Sequence, residues 1–152
     1  MRKMVLSILI DNTPGALSRV VGLFSRRGYN IDSLTVGETE NTAVSRMTVA
    51  VTGDGIILDQ IEKQICKLEN VILVKELTGD ASVCRELILV KVAASREERP
   101  SINAIVEIFR AKIVDVASDS MMIELTGNQA KLDAFTKLLD GYEIRELVRT
   151  GI

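Results

Sequence analysis

Residues 11–18, Asp-Asn-Thr-Pro-Gly-Ala-Leu-Ser, stand between an apolar run, Met4 to Ile10, and a stretch of helical periodicity. The chemistry open to such a junction is recognition of a small anion or zwitterion. A helix start leaves backbone N–H groups without intrahelical partners, and its dipole favours negative charge there. Thr13 before Pro14 reads as a helix start with proline at the first helical position. Pro14 has no N–H, so the donors expected are those of Gly15, Ala16 and Leu17. Gly15 has no Cβ and lets a ligand or a neighbouring backbone approach closely. Asn12, just outside the turn, can donate to a carboxylate or accept from an ammonium, so a free amino acid matches the set. The plainer reading is that Asp11, Asn12 and Thr13 simply cap the helix. Caps are common, and residue chemistry alone favours that reading.

Other chemistries find little support. The chain has no histidine and two cysteines, Cys66 and Cys84, without C-x-x-C spacing. That argues against a structural zinc site, a histidine-based triad and a haem ligand. Cys66, within "LDQIEKQICKLE", is expected to fill interior space. "GDG" at 53–55 lacks the acceptors of a calcium loop, and no phosphate-cradling glycine motif occurs. "SREERPS" at 95–101 reads as a solvated loop, and Arg145, Glu146 and Arg149 as an exposed face. The net charge of −2 is spread in both signs, which offers no footprint for nucleic acid and no membrane anchor. The N-terminal apolar run is too short to span a bilayer, and a cytoplasmic protein is expected.

The elements that must position the junction occur twice. "MVLSILI" is a strand, and Leu17, Val20, Val21 and Phe24 form a helical stripe that Gly28 stops. "YNIDSLTV" and "VSRMTVAV" flank the turn-rich "ETENT". Leu58, Ile61, Ile65 and Leu68 give a second helix, and "VILVKEL" at 71–77 a fourth strand. After "TGDAS" the order repeats: "ELILVKV", a helix through Ile102, Ile105, Val106 and Phe109, "KIVDV", "MMIELT", a helix through Leu132, Phe135, Leu138 and Leu139, and "YEIRELV". The expected fold is α+β, two tandem ferredoxin-like βαββαβ units. Aromatics are only 3 % of the chain, so both cores must be aliphatic. A unit of this size buries only about 60 % of its unfolded surface and is marginal alone. Apolar residues alternating in "VSRMTVAV" are expected on an open sheet face, which makes self-association the economical outcome.

"LIDNTPGALSRVVGLFSRRGYNIDSLTVGETE" closely resembles the ACT domain that opens the regulatory (small) subunits of acetolactate synthase, also called acetohydroxyacid synthase. "SRMTV", "QIEKQICKL", "LVKV", "EIFRAKIVDV" and "GNQAKLDAFTKLL" continue the resemblance in order along essentially the whole chain. The resemblance implies an ACT domain over 1–77, a linker over 78–84 and a C-terminal ferredoxin-like domain over 85–152. It implies a non-catalytic subunit that stimulates a catalytic subunit and confers feedback inhibition by valine in branched-chain amino acid biosynthesis. Thiamine diphosphate, magnesium and FAD are then expected on the catalytic subunit and no cofactor on this one. Valine is expected where two ACT domains of a homodimer pair. The matching positions are Asp11, Asn12, Gly15, Ala16, Leu17 and Ser18, with Asn30 and Ile31 facing them from the partner chain.

Two other classes compete. A free-standing amino-acid-sensing ACT protein, coupled to another enzyme or to transcription, shares the junction, but its transcriptional form lacks a basic helix here. A small ferredoxin-like enzyme or RNA binder would need a catalytic constellation or stacking aromatics.

Overall fold

Met4, Leu6, Ile8 and Ile10 alternate along β1 (Arg2–Asp11), and none is more than 2 % exposed. A period of two puts all four on one face, which the following helices cover. The computed structural model describes residues 1–152. They divide into one unit of Met1–Val83 with Gly151–Ile152 and a second of Cys84–Thr150.

The first unit runs β1, α1 (Ala16–Arg26), β2 (Ile31–Glu38), β3 (Val44–Gly53), α2 (Gly55–Ile65) and β4 (Val71–Glu76). The second runs β5 (Glu86–Ala93), α3 (Arg99–Phe109), β6 (Lys112–Val116), β7 (Ser120–Gly127), α4 (Gln129–Leu138), a 3-10 turn (Leu139–Gly141) and β8 (Ile144–Arg149). Both sheets are antiparallel, ordered β2-β3-β1-β4 and β6-β7-β5-β8. These are the two tandem ferredoxin-like units expected. No helix is long and apolar enough to cross a membrane.

Each core is aliphatic around one or two phenylalanines. Phe24 anchors the first, packed with Leu6, Ile8, Val49, Leu58 and Ile61. In the second, Phe135 meets Phe109 edge-on, their rings 5.4 Å apart at 66°, a geometry the ring quadrupoles favour. Loss of a buried phenylalanine from either core costs about 3–5 kcal/mol.

Several expectations fail on position, among them Leu138 of the expected α4 stripe, which is 51 % exposed, and "SREERPS", whose last three residues begin α3. Met47, Val49 and Val51 are buried beneath the helices, so the outward residues of "VSRMTVAV" are Arg46, Thr48 and Ala50, not an apolar stripe. The stripe of α1 is Ala16, Val20, Leu23 and Phe24, which leaves Leu17 40 % exposed. Cys66 is exposed, because it follows Ile65 and turns away from the Leu58–Ile61–Ile65 stripe. Arg149 is no exposed-face residue. Its guanidinium bonds the carboxylate of Glu86, which is 5 % exposed, and reaches Asp133 on α4 at 2.7 Å.

Candidate functional site

Helix α1 does not begin at Pro14. Pro14 and Gly15 form a turn after Thr13, and Gly15 is the residue before the helix, held at φ +86°, ψ −13°. That left-handed conformation costs an L side chain roughly 1–2 kcal/mol, and here it is what redirects the chain from β1 into α1. A Cβ on Gly15 would meet nothing within 4 Å, so the space above it is open.

No side chain caps α1, so the cap reading of Asp11, Asn12 and Thr13 fails. The Ala16 N–H turns back to the Thr13 carbonyl at 3.3 Å, and the N–H groups of Gly15, Leu17 and Ser18 have no acceptor within the chain. Ala16 is therefore not among the free donors, and Ser18 is. Ala16 is buried beneath the turn, and Leu17 and Ser18 are exposed beside it. At the starts of α2 and α4 a side-chain oxygen takes up one backbone N–H, and a side-chain box precedes α3. Asp54 accepts from Ile56 N–H and Asn128 from Lys131 N–H, each at 2.9 Å. Before α3, Ser95 and Glu98 bond each other's backbone N–H groups at 2.9 and 3.2 Å, a capping box.

Hydrogen bonds tie the junction to neighbouring loops. Asp11 N–H donates to the Asn70 carbonyl at 2.9 Å, and Arg19 on α1 bonds the Asn70 side chain. Asn12 N–H donates to Ala43 O at 2.8 Å, and its side-chain Nδ2 donates to Thr42 O at 2.9 Å and Glu38 Oε1 at 3.1 Å. Glu38, Asn70 and the 39–43 turn escaped sequence reasoning, whose only hint was the polarity of "ETENT".

Asn30 and Ile31 are not part of this cluster within one chain. Ile31 pairs with Val51, and Val51 with Met4, seven residues along β1 from Asp11. At about 3.3 Å per strand residue the separation is about 23 Å. Tyr29 fixes this corner by lying against Gly53, where a Cβ would sit 2.2 Å from its ring. A cleft of about 300 Å³ between α4 and β8 carries two carboxylates and two cations (Asp133, Asp140, Lys137, Arg149) and so offers a ligand no net charge.

Comparison with known proteins settles the family. Residues 6–73 match the model described as AHAS small subunit-like ACT domain, and residues 85–152 match the small subunit of acetolactate synthase. The chain belongs to the acetolactate synthase small-subunit family. Among relatives of this family, the probable acetolactate synthase small subunit of Archaeoglobus fulgidus is 50 % identical, covering 98 % of this chain and 93 % of its own. The acetolactate synthase isozyme 3 small subunit of Escherichia coli is 48 % identical, covering 97 % and 91 %. The crystal structure of the acetolactate synthase small subunit from Thermotoga maritima superposes with a TM-score of 0.89 at 42 % identity, covering 99 % of this chain and 94 % of that one. The first half matches an ACT-domain model, and both halves of this chain follow the fold of the Thermotoga maritima small subunit.

Proposed function

We propose that this protein is the regulatory subunit of an acetolactate synthase, raising the activity of the catalytic subunit and imposing feedback inhibition by valine or a related branched-chain amino acid. The observation that carries the reading is the bare start of α1. Three unpaired N–H groups, of Gly15, Leu17 and Ser18, converge with the helix dipole beside an open space. An amino acid's carboxylate fits those donors, and the exposed Leu17 offers its aliphatic side chain a contact.

Asp11, Asn12, Gly15, Ala16, Leu17 and Ser18 form one half of the effector site. Asn30 and Ile31, about 23 Å away in their own chain, complete the site in a neighbouring copy of the first unit, which makes the working form a homodimer. An effector bound between copies then biases their pairing, and a coupling of about 1–3 kcal/mol gives five- to 150-fold regulation. Thiamine diphosphate, magnesium and FAD belong to the catalytic subunit in this reading, and the complex works in the cytoplasm.

Reconstitution tests it. The catalytic subunit is assayed for acetolactate formation alone, with this chain, and with this chain plus valine, leucine or isoleucine. Stimulation by the chain and its reversal by one of the three is the expected result. Acetolactate formation by the chain alone, or stimulation that no branched-chain amino acid alters, contradicts it.

A further inference from the structure

Asn12 has two amide donors, and both are used. One donates to the Glu38 carboxylate and the other to the Thr42 carbonyl. Both partners accept hydrogen bonds and donate none, so the reverse orientation would set the Asn12 Oδ1 against two oxygens. The Thr42 carbonyl is held by the turn, where Thr39 N–H donates to Val44 O at 3.0 Å and Ala43 N–H to Asn41 Oδ1 at 3.1 Å. The remaining freedom lies with Glu38, the last residue of β2, whose side chain meets that of Asn12, the residue following β1. Strand β3 lies between β1 and β2.

We propose that Glu38 is a positioning residue that turns Asn12 into an ammonium reader. This rests on the effector site proposed above. With both donors spent, Asn12 presents only Oδ1, an acceptor, and an acceptor takes the ammonium of an amino acid and refuses its carboxylate. The unpaired N–H groups of α1 then take the carboxylate, and the ligand has one orientation. The consequence is chemical selectivity. A 2-oxo acid with the same carbon skeleton keeps the carboxylate and the apolar group but has nothing to donate to Asn12, leaving that acceptor unpaired. The site therefore separates an amino acid from the 2-oxo acid that transamination converts into it.

The test is calorimetric titration of the full chain with L-valine, L-leucine and L-isoleucine and with 3-methyl-2-oxobutanoate, for wild type, Glu38→Ala, Glu38→Gln and Asn12→Ala, with thermal unfolding of each. Wild type is expected to bind an amino acid at least tenfold more tightly than the oxo acid. Glu38→Ala leaves only the Thr42 carbonyl to orient Asn12 and is expected to weaken amino-acid binding about tenfold and to narrow that preference, with Tm unchanged. Glu38→Gln supplies the same acceptor through Oε1 and is expected to stay within about threefold of wild type. Unchanged binding by Glu38→Ala overturns the inference, and so does Glu38→Gln as weak as Glu38→Ala. If Asn12→Ala loses the ligand while Glu38→Ala keeps it, the effector site stands and the role of Glu38 falls. If wild type binds none of the three amino acids, the site falls and Glu38 with it.

Discussion

The connection from β1 to α1 and that from β5 to α3 join equivalent strands to equivalent helices, yet one is open and the other closes on itself. In the second unit Ser95 and Glu98 satisfy each other, and Arg99 donates to the carbonyls of Ala117 and Ser118. In the first unit Gly15 replaces any capping side chain, and three N–H groups wait for an acceptor. A loop kept only for stability gains from capping, typically about 1 kcal/mol. The first unit forgoes that gain where a ligand is expected to supply it. The ion bridges differ in the same direction of duty. Arg2, Asp59 and Glu76 tie β1, α2 and β4 together in water, whereas Arg149 bridges Asp133 to a buried Glu86.

The largest effect expected from breaking this contrast is in the second unit. Arg149→Ala leaves Glu86 buried without its cation and should cost about 3 kcal/mol in denaturant unfolding. Arg2→Ala, whose guanidinium is in solvent, should cost far less, and an equal loss for the two would erase the distinction between the bridges.

Gly15→Asp makes the first loop resemble the second. Aspartate tolerates positive φ and sets its own carboxylate at the helix start, on the donors proposed for the effector's carboxylate. Inhibition by the effector should vanish, with at least 30-fold weaker binding by calorimetry, while stimulation of the catalytic subunit persists. Ser95→Ala should leave effector binding unchanged. Gly15→Ala separates conformation from occupancy. The strained φ should cost about 1 kcal/mol in unfolding experiments with a smaller loss of effector affinity.

The smallest effect is in pH. The Ser95 backbone N–H, with the Ser95 hydroxyl, holds the Glu98 carboxyl below its ordinary range. A depressed carboxylate stabilises the fold above its unfolded pKa, and that stabilisation fades as pH falls through the lowered folded value. Wild type should therefore have a slightly higher Tm than Glu98→Gln at pH 7, with the gap closing in acid below the usual carboxylate range. A gap constant down to that range would deny the capping box its charge.

Strand and helix identity was legible because the apolar residues keep periods of two and 3.6, and a buried face tolerates no slip. The stripe through Leu58, Ile61 and Ile65 fell as expected. What sequence could not carry is conformation at single residues and pairing at long range. Pro14 looked like a helix start because proline suits that position. Only the backbone reveals that Gly15 has positive φ and that α1 begins one residue later. Arg149 and Glu86 are 63 residues apart, and no local pattern announces that one is buried and the other its partner. The types of residue at the candidate site were readable from the junction. The direction of its donors was not, since Asn12 spends its amide hydrogens on Glu38 and Thr42.

The central claim is that the open βα loop is the effector loop and the closed one is not. Amide chemical shifts of the full chain during titration with valine, leucine and isoleucine test it most directly. One of these ligands should move the amides of Gly15, Leu17 and Ser18 in a saturable manner and leave Ser95 to Arg99 unmoved. Saturable shifts confined to Ser95–Arg99, or none at Gly15, Leu17 and Ser18 with any of the three, would contradict it.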